Sequence, residues 1–250
     1  MILQKLKHTK ILQAFSMQRV FRQLSSMSIE VEQKFHFDNL VVQRLLGLGA
    51  KFNREVTHRD LYYDTPNYAL TCTDHWLRLR NGQWELKSPP EHKHFIGTTC
   101  QYHEHNTVEA ISSVLAKIFN IPKLNGVKVQ VEDYLQQCSL SPFADFTTTR
   151  KKYELNGLIV DLDETDFGYN VGEIELIADS SSVTAAHSKI QQLASSLGVQ
   201  TRDYVPGKVV VFMWLHHRDQ FDAMVAANVS SPMPEQLMEQ VLNKLKQDTM

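Results

Sequence analysis

Apolar and polar positions begin to alternate at Ile29. Through Ile29–Phe37 charged or polar side chains take every second place, which is the period of a strand. Asp38 is placed to cap a helix over Asn39–Leu48, whose apolar residues recur at helical spacing and which stops at the glycines 47 and 49. Phe52–Tyr63 reads as extended and Asp64-Thr65-Pro66-Asn67 as a turn. Strands are expected over Asp74–Arg80, Gln83–Ser88 and Thr98–His105, with Asn81-Gly82 as a hairpin turn between the first two. Residues 106–119 carry Val108, Ile111, Leu115 and Ile118 on one helical stripe, and Val131–Cys138 reads as a shorter helix. Phe143–Tyr153, Leu158–Glu164 and Gly172–Ile177 read as strands, with a second hairpin at Asn156-Gly157. A helix over Ser182–Leu197 ends at Gly198. Val199–Leu215 reads as extended, residues 218–228 as helical, and the tail from Ser230 as ending in a loose amphipathic helix. The hairpins argue for antiparallel pairing and an α+β class.

The charges on these strands carry the functional signal. Side chains at i and i+2 share a face of a strand. Glu30, Glu32 and Lys34 therefore share one face, as do Arg78 with Arg80, Glu85 with Lys87, Asp161 with Asp163, and Glu173 with Glu175. For a single strand the simplest account is a solvated polar face opposite a core face. Several strands bearing like-charge pairs change the weighing, because like charges side by side are unfavourable unless opposite charge lies between them. Paired carboxylates suit a hard divalent cation such as Mg²⁺ or Mn²⁺. Paired arginines suit phosphate oxygens. A sheet with such a face closes naturally into a barrel, with the charged face lining a tunnel and the apolar face covered outside by helices.

Glu30-Val31-Glu32-Gln33-Lys34 is an ExExK motif, followed in order by Asp60–Thr65, Asp74–Arg80, Trp84-Glu85-Leu86-Lys87, Val160–Asp163 and Phe167–Glu175. In these segments the chain resembles the CYTH superfamily, the triphosphate tunnel metalloenzymes, and within it the animal thiamine triphosphatases. The resemblance runs from about Ser28 to about Leu215. It implies a closed eight-stranded antiparallel β-barrel with helices packed outside, and hydrolysis of thiamine triphosphate to thiamine diphosphate and phosphate. It implies metal binding by Glu30, Glu32, Asp161, Glu173 and Glu175, and phosphate binding by Lys34, Arg78, Arg80, Lys87, Arg150 and Lys208. Trp76 is a candidate for stacking on the cationic thiazolium. Lys87 is a candidate general base on the condition that cationic neighbours depress its pKa, with Glu85 and Glu104 as alternatives. Other readings of the same set are a broader inorganic or nucleoside triphosphatase, and a polyphosphate-binding module without turnover.

The bulk properties fit a small-molecule enzyme. The 250 residues carry a formal net charge of −2, which excludes the strongly basic footprint of a nucleic-acid binder. No apolar run approaches the roughly 20 residues of a membrane span. Cys72, Cys100 and Cys138 form no metal or disulfide pattern, and the histidines offer no third partner at a zinc spacing. Residues 28–229 are read as one tunnel domain, 230–250 as a tail, and a monomer is expected. Residues 1–27 contain no Asp or Glu but several Lys and Arg. They are read as an extension of a cytoplasmic protein, or alternatively as a mitochondrial leader.

Overall fold

The computed structural model describes residues 28–91, 99–122, 129–199 and 203–248, so the leader at 1–27 and the start of the strand expected from Thr98 lie outside the described residues. Eight strands form a closed antiparallel barrel. In chain order they are β1 (Ile29–Phe35), β2 (Lys51–Asp64), β3 (Trp76–Arg80), β4 (Gln83–Ser88), β5 (Cys100–His105), β6 (Ser141–Leu155), β7 (Leu158–Thr165) and β8 (Asn170–Ala178). Their order around the barrel is β1-β5-β4-β3-β2-β6-β7-β8, and β8 closes onto β1 over the full length of β1. The β3–β4 and β6–β7 turns are Asn81-Gly82 and Asn156-Gly157, all four residues at positive φ, as a tight hairpin requires.

Helices cover the outside: α1 (Asn39–Gly47), α2 (Val108–Phe119), α3 (Val131–Gln137), α4 (Val183–Leu197), α5 (Lys208–His216), α6 (Arg218–Ala226) and α7 (Glu235–Asp248). Asp38 caps α1 as its sequence position predicts, accepting from the Val41 N–H at 2.9 Å. The apolar faces of the strands point outward beneath these helices. Val31, Phe35, Val160 and Ile174 pack under α1 and α4, and Leu77 and Leu86 pack under α2 and α3. The wall is tight at β1–β8: a Cβ on Gly172 would lie 2.3 Å from the Phe35 ring, so only glycine fits there. No helix among the described residues is long and apolar enough to cross a membrane.

Three expectations are corrected. Val199–Leu215 is not one extended segment, since Lys208–His216 is helical. Its β-branched run Val209-Val210-Val211 mimics a strand, but nearly every side of this helix is buried, and a helix apolar all round has no period to read. The third strand starts at Trp76 rather than Asp74. Asp74 is instead the left-handed cap of a 3₁₀ turn over Thr71–Thr73. The tail helix is not loose: Met233, Leu237 and Val241 are buried against the α5–α6 cluster.

Candidate active site

The barrel interior encloses a cavity of about 530 Å³. Glu30, Glu32, Lys34, Trp76, Arg78, Arg80, Lys87, Arg150, Glu173, Glu175 and Lys208 line it. Every site residue expected from the sequence is thus in the cavity wall except Asp161, which is wholly buried behind it. Strand register produces this convergence. Glu32 stands opposite Glu175 and Lys34 opposite Glu173 on the β1–β8 ladder. Glu173 in turn faces Asp161 across β8–β7, and Arg150 faces Asp163 across β6–β7. Lys208 comes from outside the sheet, at the first turn of α5, and reaches Asp163 and Glu173.

The cations are held by carboxylates, not left loose. Arg80 forks onto buried Asp60 at 2.7 and 2.6 Å. Arg78 binds one oxygen of Glu85 at 2.8 and 2.6 Å and donates to the Tyr62 hydroxyl at 3.1 Å. Arg150 forks onto Asp163 at 2.7 and 2.6 Å and also reaches Glu173 at 2.7 Å. Sequence reasoning missed Asp60 and Asp163 as anchors of these arginines. Asp163 could have been found, since it shares a strand face with Asp161. Asp60 carries no such signal. Lys152, two residues after Arg150, also faces the cavity and binds Asp161 at 3.0 Å, whereas Lys151 between them points outward.

The carboxylates gather among these cations. One oxygen each from Glu30, Glu32 and Glu175 lie within 4.8 Å of one another, and so do oxygens from Asp161, Glu173 and Glu175. Glu175 belongs to both groups. Burial pushes the Glu175 carboxyl up to about 8, helped by Glu30, Glu173 and Asp161. Burial likewise pushes Glu30 up to about 7 against the pull of Lys87. Glu32 goes the other way: burial would raise it, but Lys34 and Lys87 hold it at about 2. Asp161 keeps one buried oxygen, Oδ1, without a hydrogen-bond partner among the described residues. An all-oxygen donor set, raised acids and an orphaned buried carboxylate oxygen together fit a hard divalent cation.

Lys87 does not meet the condition for a general base. Its ammonium pairs with Glu30 and lies 3.4 Å from Glu32 and 3.3 Å from Glu104. Burial works to lower its pKa, but the three carboxylates outweigh burial and hold it well above the usual lysine range. It is a fixed cation. Of the alternatives, Glu85 is tied to Arg78 and its pKa is lowered, while Glu104 is half-exposed beside Lys87.

The model of the CYTH domain matches residues 28–207. The chain belongs to the CYTH family. It is 33% identical over 220 residues to the thiamine-triphosphatase of Homo sapiens, covering 83% of this chain and 94% of that one. It is also 33% identical over 219 residues to the thiamine-triphosphatase of Macaca fascicularis, with the same coverage. A solved structure from Pyrococcus horikoshii aligns with a TM-score of 0.50 at 21% identity, over 76% of this chain and 98% of that one, a likeness of fold alone.

The raised acids of this CYTH tunnel predict a pH-dependent metal site. A carboxyl with a pKa of about 7 or 8 must lose its proton before it ligates a cation. Divalent metal affinity should therefore rise from pH 6 to pH 9, by up to about tenfold per pH unit for each proton displaced. Calorimetric titration in buffers of different ionisation enthalpy reads the protons released. Affinity that stays flat over this range would contradict the assignment of Glu30 and Glu175 as ligands.

Proposed function

We propose that this protein hydrolyses the terminal phosphoanhydride of thiamine triphosphate to thiamine diphosphate and phosphate, with Mg²⁺ or Mn²⁺ as its cofactor. The reading is carried by one observation: lysine and arginine side chains and two carboxylate clusters meet in a single tunnel. Phosphoryl transfer asks the protein mainly for positioning and charge neutralisation. Lys34, Arg78, Arg80, Lys87, Arg150 and Lys208 hold the phosphate chain. Glu30, Glu32, Asp161, Glu173 and Glu175 hold the cation. When bound, the cation supplies Lewis-acid polarisation of phosphate oxygens and of water. Lys34 and Lys87 pair with Glu32 and Glu30, so these phosphate-binding cations stand beside carboxylates that would hold the metal. The 33% identity to two thiamine-triphosphatases supports thiamine as the organic group.

Phosphate release from thiamine triphosphate, inorganic triphosphate and ATP, with Mg²⁺, Mn²⁺ or chelator, tests the reading. Turnover should favour thiamine triphosphate and vanish with chelator. Equal turnover of all three would make the protein a general triphosphatase, and binding without turnover a polyphosphate-binding module.

Trp76 lines the tunnel beside Asp74, which supports a role in stacking on the thiazolium. A cation–π contact of about 0.5–2 kcal/mol corresponds to a rise in KM of roughly 2- to 30-fold on Trp76→Ala. The rise should be confined to thiamine triphosphate. An equal rise for inorganic triphosphate would remove the stacking role.

A further inference from the structure

Asp74, expected as the first residue of a strand, lies outside it. It ends the Thr71–Thr73 turn with φ 61°, in the left-handed region that aspartate and asparagine tolerate better than most residues. The turn is fixed from beneath. Buried Asp64 accepts hydrogen bonds from the N–H groups of Leu70 and Thr71, both at 2.9 Å, and from the Thr71 hydroxyl at 2.6 Å. The Asp74 N–H closes the turn onto the Thr71 carbonyl at 3.1 Å.

This anchored turn delivers the Asp74 carboxylate, only 8% exposed, to the cavity wall. There one oxygen, Oδ1, accepts from two aromatic side chains, the Trp76 indole N–H at 3.0 Å and the Tyr102 hydroxyl at 3.0 Å. Trp76 is on β3 and Tyr102 on β5, with β4 between them in the barrel. Asp74 thus ties together two rings that the sheet itself does not make neighbours. The Tyr102 ring lies 5.6 Å from the Lys87 ammonium, which binds the Glu30–Glu32 side of the site. The aromatic bracket and the phosphate wall are therefore in direct contact.

We propose that Asp74 is a positioning residue for substrate choice, holding Trp76 and Tyr102 as a fixed aromatic bracket that favours a triphosphate bearing a flat cationic ring over bare triphosphate. The inference deepens, and rests on, the thiamine triphosphate reading. Two unfixed rings would lose entropy when the substrate ordered them, whereas rings already held by a buried carboxylate do not.

The test compares Asp74→Gly, which keeps the positive φ without strain, with Asp74→Asn, which keeps an oxygen able to accept from both donors. Asp74→Gly should raise KM for thiamine triphosphate about tenfold and change KM for inorganic triphosphate less than twofold. Asp74→Asn should restore the native KM to within about twofold. ¹⁹F NMR of chains labelled with 5-fluorotryptophan reads the bracket without any assay. The Trp76 resonance, assigned by Trp76→Phe, should shift and broaden in Asp74→Gly and return in Asp74→Asn, while the Trp84 and Trp214 resonances stay in place. Unchanged Trp76 resonance and KM in Asp74→Gly would overturn the proposal. So would an Asp74→Asn variant as impaired as Asp74→Gly, since charge and not positioning would then be at work, or parallel losses on both substrates. Failure of the native chain to hydrolyse thiamine triphosphate would sink the underlying reading, and the NMR comparison would still decide whether Asp74 fixes the rings.

Discussion

Replacing Arg150 with methionine should destabilise the protein by about 3–5 kcal/mol and reduce turnover by at least about 100-fold. Methionine occupies much of the arginine stem, so lost packing is not the main effect. What is lost is the cation among Asp161, Asp163 and Glu173, two of them wholly inaccessible to solvent. Lys152 and Lys208 remain, but Lys152 already holds Asp161 and Lys208 already holds Asp163 and Glu173. The sign of the pH dependence follows. In the native chain Asp163 and Glu173 are held low, although burial works to raise them, by Lys208 and Arg150. That stability is present above the unfolded carboxylate pKa and is lost only as pH falls through the depressed folded values. Without Arg150 the buried acids favour their protonated forms, and the folded state then weakens as pH rises. The deficit should be larger at pH 8 than at pH 5, read by urea unfolding at both. Lys151→Met is the control, because Lys151 and its partner Glu164 are both about half exposed and their pair is worth about 1 kcal/mol or less. A deficit below 1 kcal/mol, or one independent of pH, would show that the network tolerates the loss.

The charged interior was legible because a strand has a period of two and cannot place Glu30 and Glu32, or Arg78 and Arg80, on different faces. Their burial was the deduction from like charges, and the barrel bears it out. Parity reports which face a side chain takes but not its depth or its partner. Hence Asp161 could be named from its strand while Asp60, on a different and longer strand, could not be matched to Arg80 twenty residues on. Register across β2–β3 makes that pair, and register depends on the whole barrel. The helix at Lys208–His216 was hidden for a different reason, because uniform burial erases periodicity. Asp74 was read as the start of a strand, since backbone conformation at a single residue leaves no mark in an alternating pattern.

Changing Glu175 to glutamine should separate function from stability. Glu175 is the one carboxylate shared by both acidic clusters, so its loss weakens each. Glutamine keeps the shape and one oxygen but not the charge that a hard cation requires. Activity should fall roughly 1000-fold, equivalent to about 4 kcal/mol of transition-state stabilisation. Stability of the metal-free protein should move the opposite way. A carboxyl raised to about 8 in the folded state binds its proton more tightly there than in the unfolded chain. Its ionisation therefore subtracts stability as pH climbs from the unfolded carboxylate range through about 8. Glutamine, the uncharged isostere of the protonated acid, removes that loss. In chelator the variant should match the native protein near pH 5 and melt higher near pH 8.5. With Mg²⁺ added the order should reverse, because only the native site gains binding energy. Differential scanning calorimetry over the four conditions reads all of this in one series. Near-native turnover, or a variant that melts lower in chelator at high pH, would mean that Glu175 is a structural acid and that the cation is held elsewhere. The expected crossing instead describes a site whose carboxylates are kept together against their own repulsion for the cation that relieves it.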